Sequence, residues 1–247
     1  GCEVNQVAGM AQSMSWANSD TFKMMTIQEV GGSRKTINEG VEMIKQMLPI
    51  LNKNKREKCP ASGLILGLEC GGSDAYSGMT ANPALGAAVD LLVKNGGTGT
   101  LAETPEIFGA EHLLTRRAIT EEVGTKIVNF IKWWQEDYLA KHQPEQLHQD
   151  PSPGNKAGGL TTILEKSLGA VAKGGTTNLV DVYQYAEPIK AKGFTFMNTP
   201  GYDPLSVTGM VAGGANIICF TTGRGSVFGC KPSPSIKLAT NNDLYER

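Results

Sequence analysis

Six consecutive residues near the middle of the chain carry several groups that can do chemistry. Glu69, Cys70, Ser73 and Asp74 surround two glycines in the run ECGGSD. The preceding residues 63–68 are mostly apolar and bounded by turn residues, which is typical of a buried strand. The run therefore places two carboxylates, a thiol and a hydroxyl at the end of a predicted strand, where glycine backbone lets a ligand approach closely.

A second predicted strand delivers further carboxylates. Residues 84–94 form an apolar predicted helix, and residues 98–102 form the strand that follows it. Glu103 comes directly after this strand, and Glu106 lies in the first turn of the next predicted helix. The order strand, helix, strand predicts a parallel pair, whose carboxyl ends meet at one edge of a sheet. We therefore expect these carboxylates to lie close to Cys70.

Oxygen and sulfur groups of this kind are ligands for metal ions. Carboxylates suit hard divalent cations, and a thiolate would admit iron. An alternative stays open for each residue: Asp74 caps a turn, Glu106 complements a helix N-terminus, and Cys70 is a small buried apolar group. The three histidines are scattered along the chain, so the sequence does not support a histidine-rich metal site.

Two glycine-rich segments have the features of anion-binding loops. Residues 154–159 carry Lys156, and residues 221–226 carry Arg224. Free backbone N–H groups beside one cation suit an anion, and a planar guanidinium suits a carboxylate. For Arg224, a glycine turn with an exposed side chain stays open as the alternative. The sequence contains no G-x-x-x-x-G-K-[ST] run, so it gives no support for a nucleotide-binding P-loop.

Length and composition restrict the class of protein. The 247 residues suffice for one large domain or two small ones, and the net charge of −1 gives no reason to expect nucleic acid. No apolar stretch is long enough to cross a membrane, and no signal peptide is visible. The five cysteines lack C-x-x-C spacing, which favours a reducing compartment. We therefore expect a cytoplasmic protein with neither membrane nor nucleic-acid partners.

The remaining patterns predict an α/β fold. Strands are predicted at 23–30, 194–198 and 215–221, and helices at 120–140 and 160–168. Together with the central stretch they indicate one or more mostly parallel sheets with flanking helices. We expect the fold to be Rossmann-like in part, with glycine-rich loops at the strand ends.

A polar segment predicts a boundary between two parts of the chain. Residues 1–58 would be the remainder of an α/β domain plus a linker helix, which begins at a capping box formed by Thr36 and Glu39. Residues 59–247 would form the main α/β domain. A solvated loop inside a single domain is the alternative. The chain starts without methionine, and both ends look internal to a longer protein.

Eight short motifs in a fixed order carry a family resemblance. They are CGGSDAYSGMTANPALG, ETPEI, PSPGNKAGGL, EKSLGA, KGGTTNL, TPGYDP, FTTGRGS and KLATN. Together they resemble the altronate/galactarate dehydratase family, and the ETPEI, TPGYDP and TTGRGSVFGCKP runs are most similar to its altronate branch. The resemblance implies a carbon–oxygen lyase of hexuronate catabolism. Full-length members also carry a SAF-like N-terminal domain and a further C-terminal segment.

The resemblance also implies a site. The metal ligands would be Cys70, Asp74 and Glu103, and the cofactor would be Fe²⁺, or Mn²⁺ or another divalent cation. Enolase-type sites stabilise an enediolate with such a metal and a basic side chain. Glu69 and His112 are left out, because relatives can carry other residues at these positions. The remaining roles would be catalytic for Asp74, Glu103 and Lys166, and substrate-binding for Ser73, Asn155, Lys156 and Arg224.

The reaction that the resemblance implies is loss of water from D-altronate, which gives 2-keto-3-deoxy-D-gluconate. Galactarate or another aldarate stays open as the substrate, and so does a sulfo-lyase-like activity on sulfolactate. A non-catalytic sugar-acid binding module is a further alternative, which metal-dependent release of a 2-keto acid would exclude. The expected partner is a small-molecule sugar acid, homo-oligomerisation is left open, and the chain by itself is expected to be much less active than a longer parent.

Overall fold

The computed structural model of the chain describes residues 6–14, 19–142 and 151–247. The chain divides into two compact units, Gly1–Cys59 and Pro60–Arg247, and each is described by itself. Over the described residues, no helix combines the length and the apolar composition that a membrane crossing requires.

The described part of the first unit is helical. Its helices are α1 (Val7–Ser13), α2 (Ile27–Val30) and α3 (Ser33–Leu51). The prediction of a strand at 23–30 is wrong, because residues 27–30 form the single helical turn of α2. Gly31 ends this turn with a φ of 94°, and its N–H donates to the carbonyls of Ile27 and Gln28. A short apolar run does not separate strand from helix by itself.

The start of α3 also differs from the prediction. The capping box of Thr36 and Glu39 is wrong, because α3 already begins at Ser33. The Thr36 hydroxyl lies one turn inside the helix and donates back to the carbonyl of Gly32 at 3.0 Å. This i to i−4 bond is the usual arrangement of threonine in a helix interior, where the side chain cannot cap the N-terminus.

A six-stranded sheet forms the centre of the second unit. Its strands are β1 (Ile65–Cys70), β2 (Thr98–Leu101), β3 (Leu179–Tyr183), β4 (Gly193–Met197), β5 (Ile217–Thr222) and β6 (Ser235–Ala239). The order across the sheet is β3-β4-β2-β1-β5-β6, and every neighbouring pair is parallel. The prediction of an α/β fold with a parallel sheet and flanking helices is confirmed.

The helices of the second unit connect these strands. They are α4 (Ala81–Lys94), α5 (His112–Thr115), α6 (Glu121–Lys132), α7 (Ala140–His142), α8 (Pro153–Ala157), α9 (Ile163–Ala172), α10 (Asp203–Ala212) and α11 (Asn242–Tyr245). A π-helix, Trp133–Leu139, continues α6 into α7. The predicted helix at 120–140 is therefore present, although its second half has π geometry.

Two boundaries around α8 and α9 differ from the sequence prediction. Residues 154–159 are predicted as a loop, but most of them form the short helix α8. The helix predicted at 160–168 starts later, because the Thr162 hydroxyl accepts the N–H of Glu165 at 3.1 Å and so caps α9.

The edge strands β3 and β6 are not predicted from the sequence. β6 contains no buried residue and carries Lys237 at its centre, so it lacks a buried apolar run. β3 carries Asp181, where its register with β4 shifts. Edge strands face solvent and often carry charges, which weakens the sequence pattern that identifies a strand.

Apolar clusters cover both faces of the sheet. Leu66 and Leu68 of β1 belong to one cluster with Leu85 and Val89 of α4. Met210 of α10 belongs to a second cluster with residues of β4 and β5. Side chains of a strand alternate between faces, and Leu66 to Cys70 are all buried, so both sides of β1 are covered.

The strand order opens a crevice at the carboxyl ends of β1 and β5. The chain leaves β1 towards β2 on one side and leaves β5 towards β6 on the other. The loops after the two adjacent strands therefore diverge. Open α/β sheets bind their ligands at such a point, so we expect the loops that follow β1 and β5 to contribute to a binding site.

Arg117 fixes the turn that follows α9. Its guanidinium donates to the carbonyls of Gly174 (3.2 Å), Gly175 (2.8 Å) and Thr177 (2.8 Å). The same group lies 4.3 Å from the centre of the Phe194 ring of β4, which suits a cation–π contact. The turn, and with it the end of α9, is thereby attached to the sheet.

Replacing Arg117 by methionine is expected to lower the free energy of unfolding by about 2–4 kcal/mol, because several carbonyls lose a charged donor. Urea unfolding measures this change. Arg116→Met is the matched control, since Arg116 is exposed. Equal urea midpoints for the two variants would contradict the structural role of Arg117.

Candidate active site

A cleft of about 880 Å³ lies at the carboxyl edge of the sheet. Its lining includes the loop after β1, the π-helix, α8 and the loop before α10. Charged side chains reach it from four places. They are Glu106, Lys166, Asp203 and Arg224.

Three carboxylates meet beside this cleft. Glu69 lies on β1, and Glu103 lies two residues after the end of β2. Asp203 is the first residue of α10. One oxygen atom of each lies within 4.8 Å of the others. Glu69 and Glu103 are buried, and Asp203 lines the cleft. The parallel sheet brings the first two together, because β1 and β2 are neighbours that end at the same edge.

Glu103 has an unusual backbone conformation. Its φ and ψ of 66° and 63° lie in the left-handed region, which costs a residue other than glycine about 1–3 kcal/mol. The Glu103 N–H donates to the Thr199 hydroxyl at 2.8 Å, which holds this conformation. Its carboxylate Oε2 accepts the N–H of Cys70 at 3.1 Å and lies 3.5 Å from the Cys70 sulfur. The surroundings therefore direct the side chain back towards the end of β1.

Lys173 is fully buried and pairs with Glu103. Its Nζ lies 2.6 Å from Glu103 Oε2. Burial by itself lowers the pKa of this lysine, but the nearby Cys70, Glu103 and Glu69 outweigh burial and raise its pKa. Lys173 is therefore a fixed positive charge beneath the carboxylates. Such a pair is destabilising if either partner is removed, because an uncompensated buried charge remains.

The surroundings of the other two carboxyl groups, Glu69 and Asp203, raise their pKa values. The Ser206 hydroxyl of α10 donates to Glu69 Oε2 at 2.7 Å. Burial, followed by the charge of Glu103, raises the pKa of Glu69 well above its ordinary value. The same two causes raise the pKa of Asp203. Without a further positive charge at this place, the surroundings therefore favour the protonated forms of Glu69 and Asp203.

The three carboxylates fit a divalent cation. Oε1 of Glu69 and Oε1 of Glu103 are buried, and neither has a hydrogen-bond partner within the described parts of the chain. Buried oxygen atoms without donors are unfavourable unless a cation or a shared proton compensates them. Carboxylate oxygens are the ligands that hard divalent cations prefer. A cation at this place would satisfy both orphaned oxygen atoms together with Asp203.

The cleft wall carries an ion pair and a separate cation. Lys166 of α9 forms a salt bridge with Glu106, and both side chains are largely buried. Arg224, in the loop after β5, also lines the cleft. Asn155 of α8 donates through its side-chain amide to the carbonyl of Ser73 at 3.1 Å. This bond joins α8 to the loop after β1.

The structure places the sequence-predicted site residues in two groups. Cys70, Ser73, Asn155, Lys166 and Arg224 line the cleft. Glu103 is not among the described residues that line the cleft, but it accepts a hydrogen bond from the backbone of Cys70, which does line it. Burial, followed by the charge of Glu103, raises the pKa of the Cys70 thiol, so this group is held in its protonated form.

Asp74 and Lys156 lie elsewhere. The Asp74 carboxylate accepts from Ser77 (3.0 Å), Thr240 (2.8 and 2.9 Å) and Asn241 (2.9 Å). These contacts join the loop after β1 to the residues after β6. Lys156 is exposed on α8 and is not among the described residues that line the cleft. The structure therefore does not bring Asp74 into the carboxylate cluster.

Three residues of the site are not identified from the sequence. Glu69 is left out on the family resemblance, although it lies beside Cys70 on β1. Lys173 begins a glycine-rich run, KGGTTNL, that indicates only a turn. Asp203 stands before a proline in TPGYDP, where an acidic residue at a helix N-terminus needs no further role. Of these three residues, only Glu69 lies at the end of a predicted strand, which is a signal that could have identified it.

Comparisons with known proteins identify the family of the chain. Residues 61–247 match the family described as D-galactarate/altronate dehydratase, C-terminal, and residues 1–52 match the second domain of D-galactarate dehydratase/altronate hydrolase. Altronate dehydratase from Bacillus subtilis is 42% identical over 246 residues, which cover 100% of this chain and 48% of that protein.

Two further relatives have other names. Galactarate dehydratase (L-threo-forming) from Escherichia coli is 41% identical over 87% of this chain and 41% of its own length. The (2R)-sulfolactate sulfo-lyase subunit beta from Chromohalobacter salexigens is 34% identical over 86% of this chain and 55% of its own length. The chain thus spans about half the length of the curated relatives it matches. The resemblance seen in the sequence motifs is confirmed: the chain belongs to the D-galactarate/altronate dehydratase family.

Proposed function

We propose that the protein is a metal-dependent hydro-lyase that removes water from a sugar acid, with D-altronate as substrate and 2-keto-3-deoxy-D-gluconate as product. The observation that carries the proposal is the cluster of Glu69, Glu103 and Asp203, which includes the buried partner of Lys173 and reaches the cleft at Asp203. Family membership supports the reaction class, and the names of the relatives support a sugar-acid substrate.

The difficult step in this reaction is removal of the proton on C2. This proton lies next to a carboxylate and is weakly acidic, so the enediolate that forms needs strong electrostatic stabilisation. Glu69, Glu103 and Asp203 would hold a divalent cation such as Fe²⁺ or Mn²⁺. The cation, when bound, would supply positive charge to the substrate carboxylate and the enediolate. Lys173 contacts Glu103 Oε2 at 2.6 Å and holds this carboxylate in position for this role.

We assign proton transfer to the ion pair of Lys166 and Glu106. Both groups line the cleft and contact each other, so a proton can move between them. The pair takes the proton from C2 and returns one to the departing 3-hydroxyl, which leaves as water. The pair ends the reaction in its starting protonation state, and the resulting enol becomes the 2-keto-3-deoxy acid by taking a solvent proton at C3 and releasing its 2-hydroxyl proton to solvent.

The remaining polar groups would bind the substrate chain. Arg224 lines the cleft as a cation outside the Lys166 pair, and Ser73 and Asn155 lie on the loop and the helix beside it. A guanidinium offers a planar set of donors that suits carboxylate and hydroxyl oxygens. We therefore assign these residues to the substrate atoms that lie away from the metal.

The test is a turnover panel in the absence of oxygen. The purified protein, loaded with Fe²⁺ or Mn²⁺, is given D-altronate, D-galactarate and other hexonates, and the 2-keto-3-deoxy acid is measured by a colorimetric assay. We expect product from D-altronate and its loss on chelation with EDTA. Absence of product from every sugar acid under metal loading would contradict the dehydratase proposal.

A sulfo-lyase is the second candidate, because one relative carries that name. Both reactions form a carbanion next to a carboxylate and expel a group from the neighbouring carbon, so the same site suits both. Adding (2R)-sulfolactate to the panel separates them. Sulfite release without any 2-keto-3-deoxy acid from hexonates would replace the dehydratase by the sulfo-lyase.

A further inference from the structure

The cleft contains a cation, Arg224, whose side chain has no hydrogen-bond or ion-pair partner among the described residues. The guanidinium of Arg224 makes no hydrogen bond or ion pair with any residue that the structure describes, whereas Lys166 and Lys173 each contact a carboxylate. The side chain is exposed and lines the cleft. Its donors are therefore available to a ligand.

The backbone that carries Arg224 is nevertheless tightly held. The N–H groups of Gly223 and Arg224 both donate to the carbonyl of Gly72, at 3.1 and 3.0 Å. The side-chain amide of Asn241 donates to the carbonyl of Gly223 at 2.9 Å. These bonds fix the loop after β5 to the loop after β1, so the starting point of the Arg224 side chain is defined.

The other end of this side chain lies against helix α8, at Gly154. A methyl group on Gly154 would overlap Nη1 of Arg224 and would lie 3.3 Å from its Cζ. Helix α8 is itself docked on the loop after β1, because Asn155 donates to Ser73 and the carbonyl of Gly158 accepts the N–H of Ala75 at 2.9 Å. The helix cannot simply withdraw to make room for a side chain.

We propose that Gly154 is a positioning residue for the substrate: its lack of a side chain provides the space in which the guanidinium of Arg224 lies beside the cleft. This proposal rests on the proposed function, in which Arg224 binds oxygen atoms of the sugar acid. Any larger residue at Gly154 displaces the guanidinium. The backbone of Gly154 is helical, so glycine is not required there for its φ and ψ.

The displaced group is the flexible end of an exposed side chain, so the fold accommodates the change. Alanine is also a better helix former than glycine. Gly154→Ala is therefore expected to leave the melting temperature unchanged or slightly raised. Its effect appears in substrate binding: KM for D-altronate rises about tenfold or more, while kcat stays within about threefold, the pattern for loss of an interaction made equally in ground and transition states.

A double-mutant cycle separates this role from a general structural one. Arg224→Ala removes the group that Gly154 accommodates, so Gly154→Ala in that background is expected to leave KM at the Arg224→Ala value. Gly229→Ala is the matched control, because Gly229 has open space around it and lies on the same long loop. Independent, multiplying effects of the two substitutions on KM would overturn the proposal.

A second readout does not depend on turnover. Phenylglyoxal modifies exposed arginine side chains, and mass spectrometry of the peptide that contains Arg224 gives the rate of its modification. We expect this rate to change in Gly154→Ala and to match the wild-type protein in Gly229→Ala. Unchanged modification of Arg224 in Gly154→Ala would overturn the proposal even if no sugar acid is turned over, whereas a wild-type protein that turns over none would count only against the proposed function.

Discussion

Lys173→Met is expected to abolish turnover, with a loss of roughly 10²–10³-fold or more, and to lower the free energy of unfolding by about 3–5 kcal/mol. The reason is the buried pair: without Lys173 the Glu103 carboxylate loses its charged partner in a site shielded from water, and its side chain is no longer held in place. Activity assays and urea unfolding measure the two effects.

Two further variants separate stability from function. In Lys173→Met/Glu103→Gln neither side chain is charged, so much of the lost stability is expected to return while turnover does not. Lys94→Met replaces an exposed lysine at the end of α4 and is expected to change neither quantity. Wild-type turnover in Lys173→Met would show that the buried pair has no part in the reaction.

Metal affinity is the second property with a large expected change. Glu69→Gln and Asp203→Asn each replace a proposed ligand oxygen by an amide, and we expect each to lower the affinity for Mn²⁺ by about 10–100-fold or more. Equilibrium titration followed by electron paramagnetic resonance gives the affinity directly, and elemental analysis after gel filtration gives the retained metal.

Asp74→Asn is the informative comparison for these two variants. Asp74 accepts hydrogen bonds from Ser77, Thr240 and Asn241, so its replacement should lower the free energy of unfolding by about 1–3 kcal/mol and leave metal affinity near the wild-type value. The opposite pattern, with metal lost in Asp74→Asn and kept in Glu69→Gln and Asp203→Asn, would place the cation at Asp74, as the sequence analysis predicts.

The central part of the fold follows directly from the sequence. The strands near residues 63–68 and 98–102 are buried on both faces, so each is an apolar run bounded by turn residues, and the intervening helix has cap and stop signals. Parallel pairing then places Cys70 and Glu103 at one edge, and the structure has the Cys70 N–H 3.1 Å from Glu103 Oε2.

The remainder of the site depends on contacts between distant parts of the chain. Lys173 follows a helix and precedes two glycines, and nothing local indicates that its Nζ is buried against Glu103, 70 residues away in sequence. Asp203 lies near Glu69 because of the direction in which α10 packs against β1, and no local sequence pattern specifies that direction. Asp74 shows the converse. Its type and spacing suit a metal ligand, but Thr240 and Asn241, which follow β6, donate hydrogen bonds to its carboxylate.

We propose above that the Glu69–Glu103–Asp203 cluster is the centre of a metal-dependent sugar-acid dehydration. The most direct measurement is a proton NMR time course of D-altronate in D₂O with a catalytic amount of the Fe²⁺- or Mn²⁺-loaded protein, run beside Glu103→Gln. We predict that the wild-type protein forms 2-keto-3-deoxy-D-gluconate that carries solvent deuterium at C3, and that Glu103→Gln forms none. Equal rates of product formation by the two proteins, or formation that continues in EDTA, would contradict the claim.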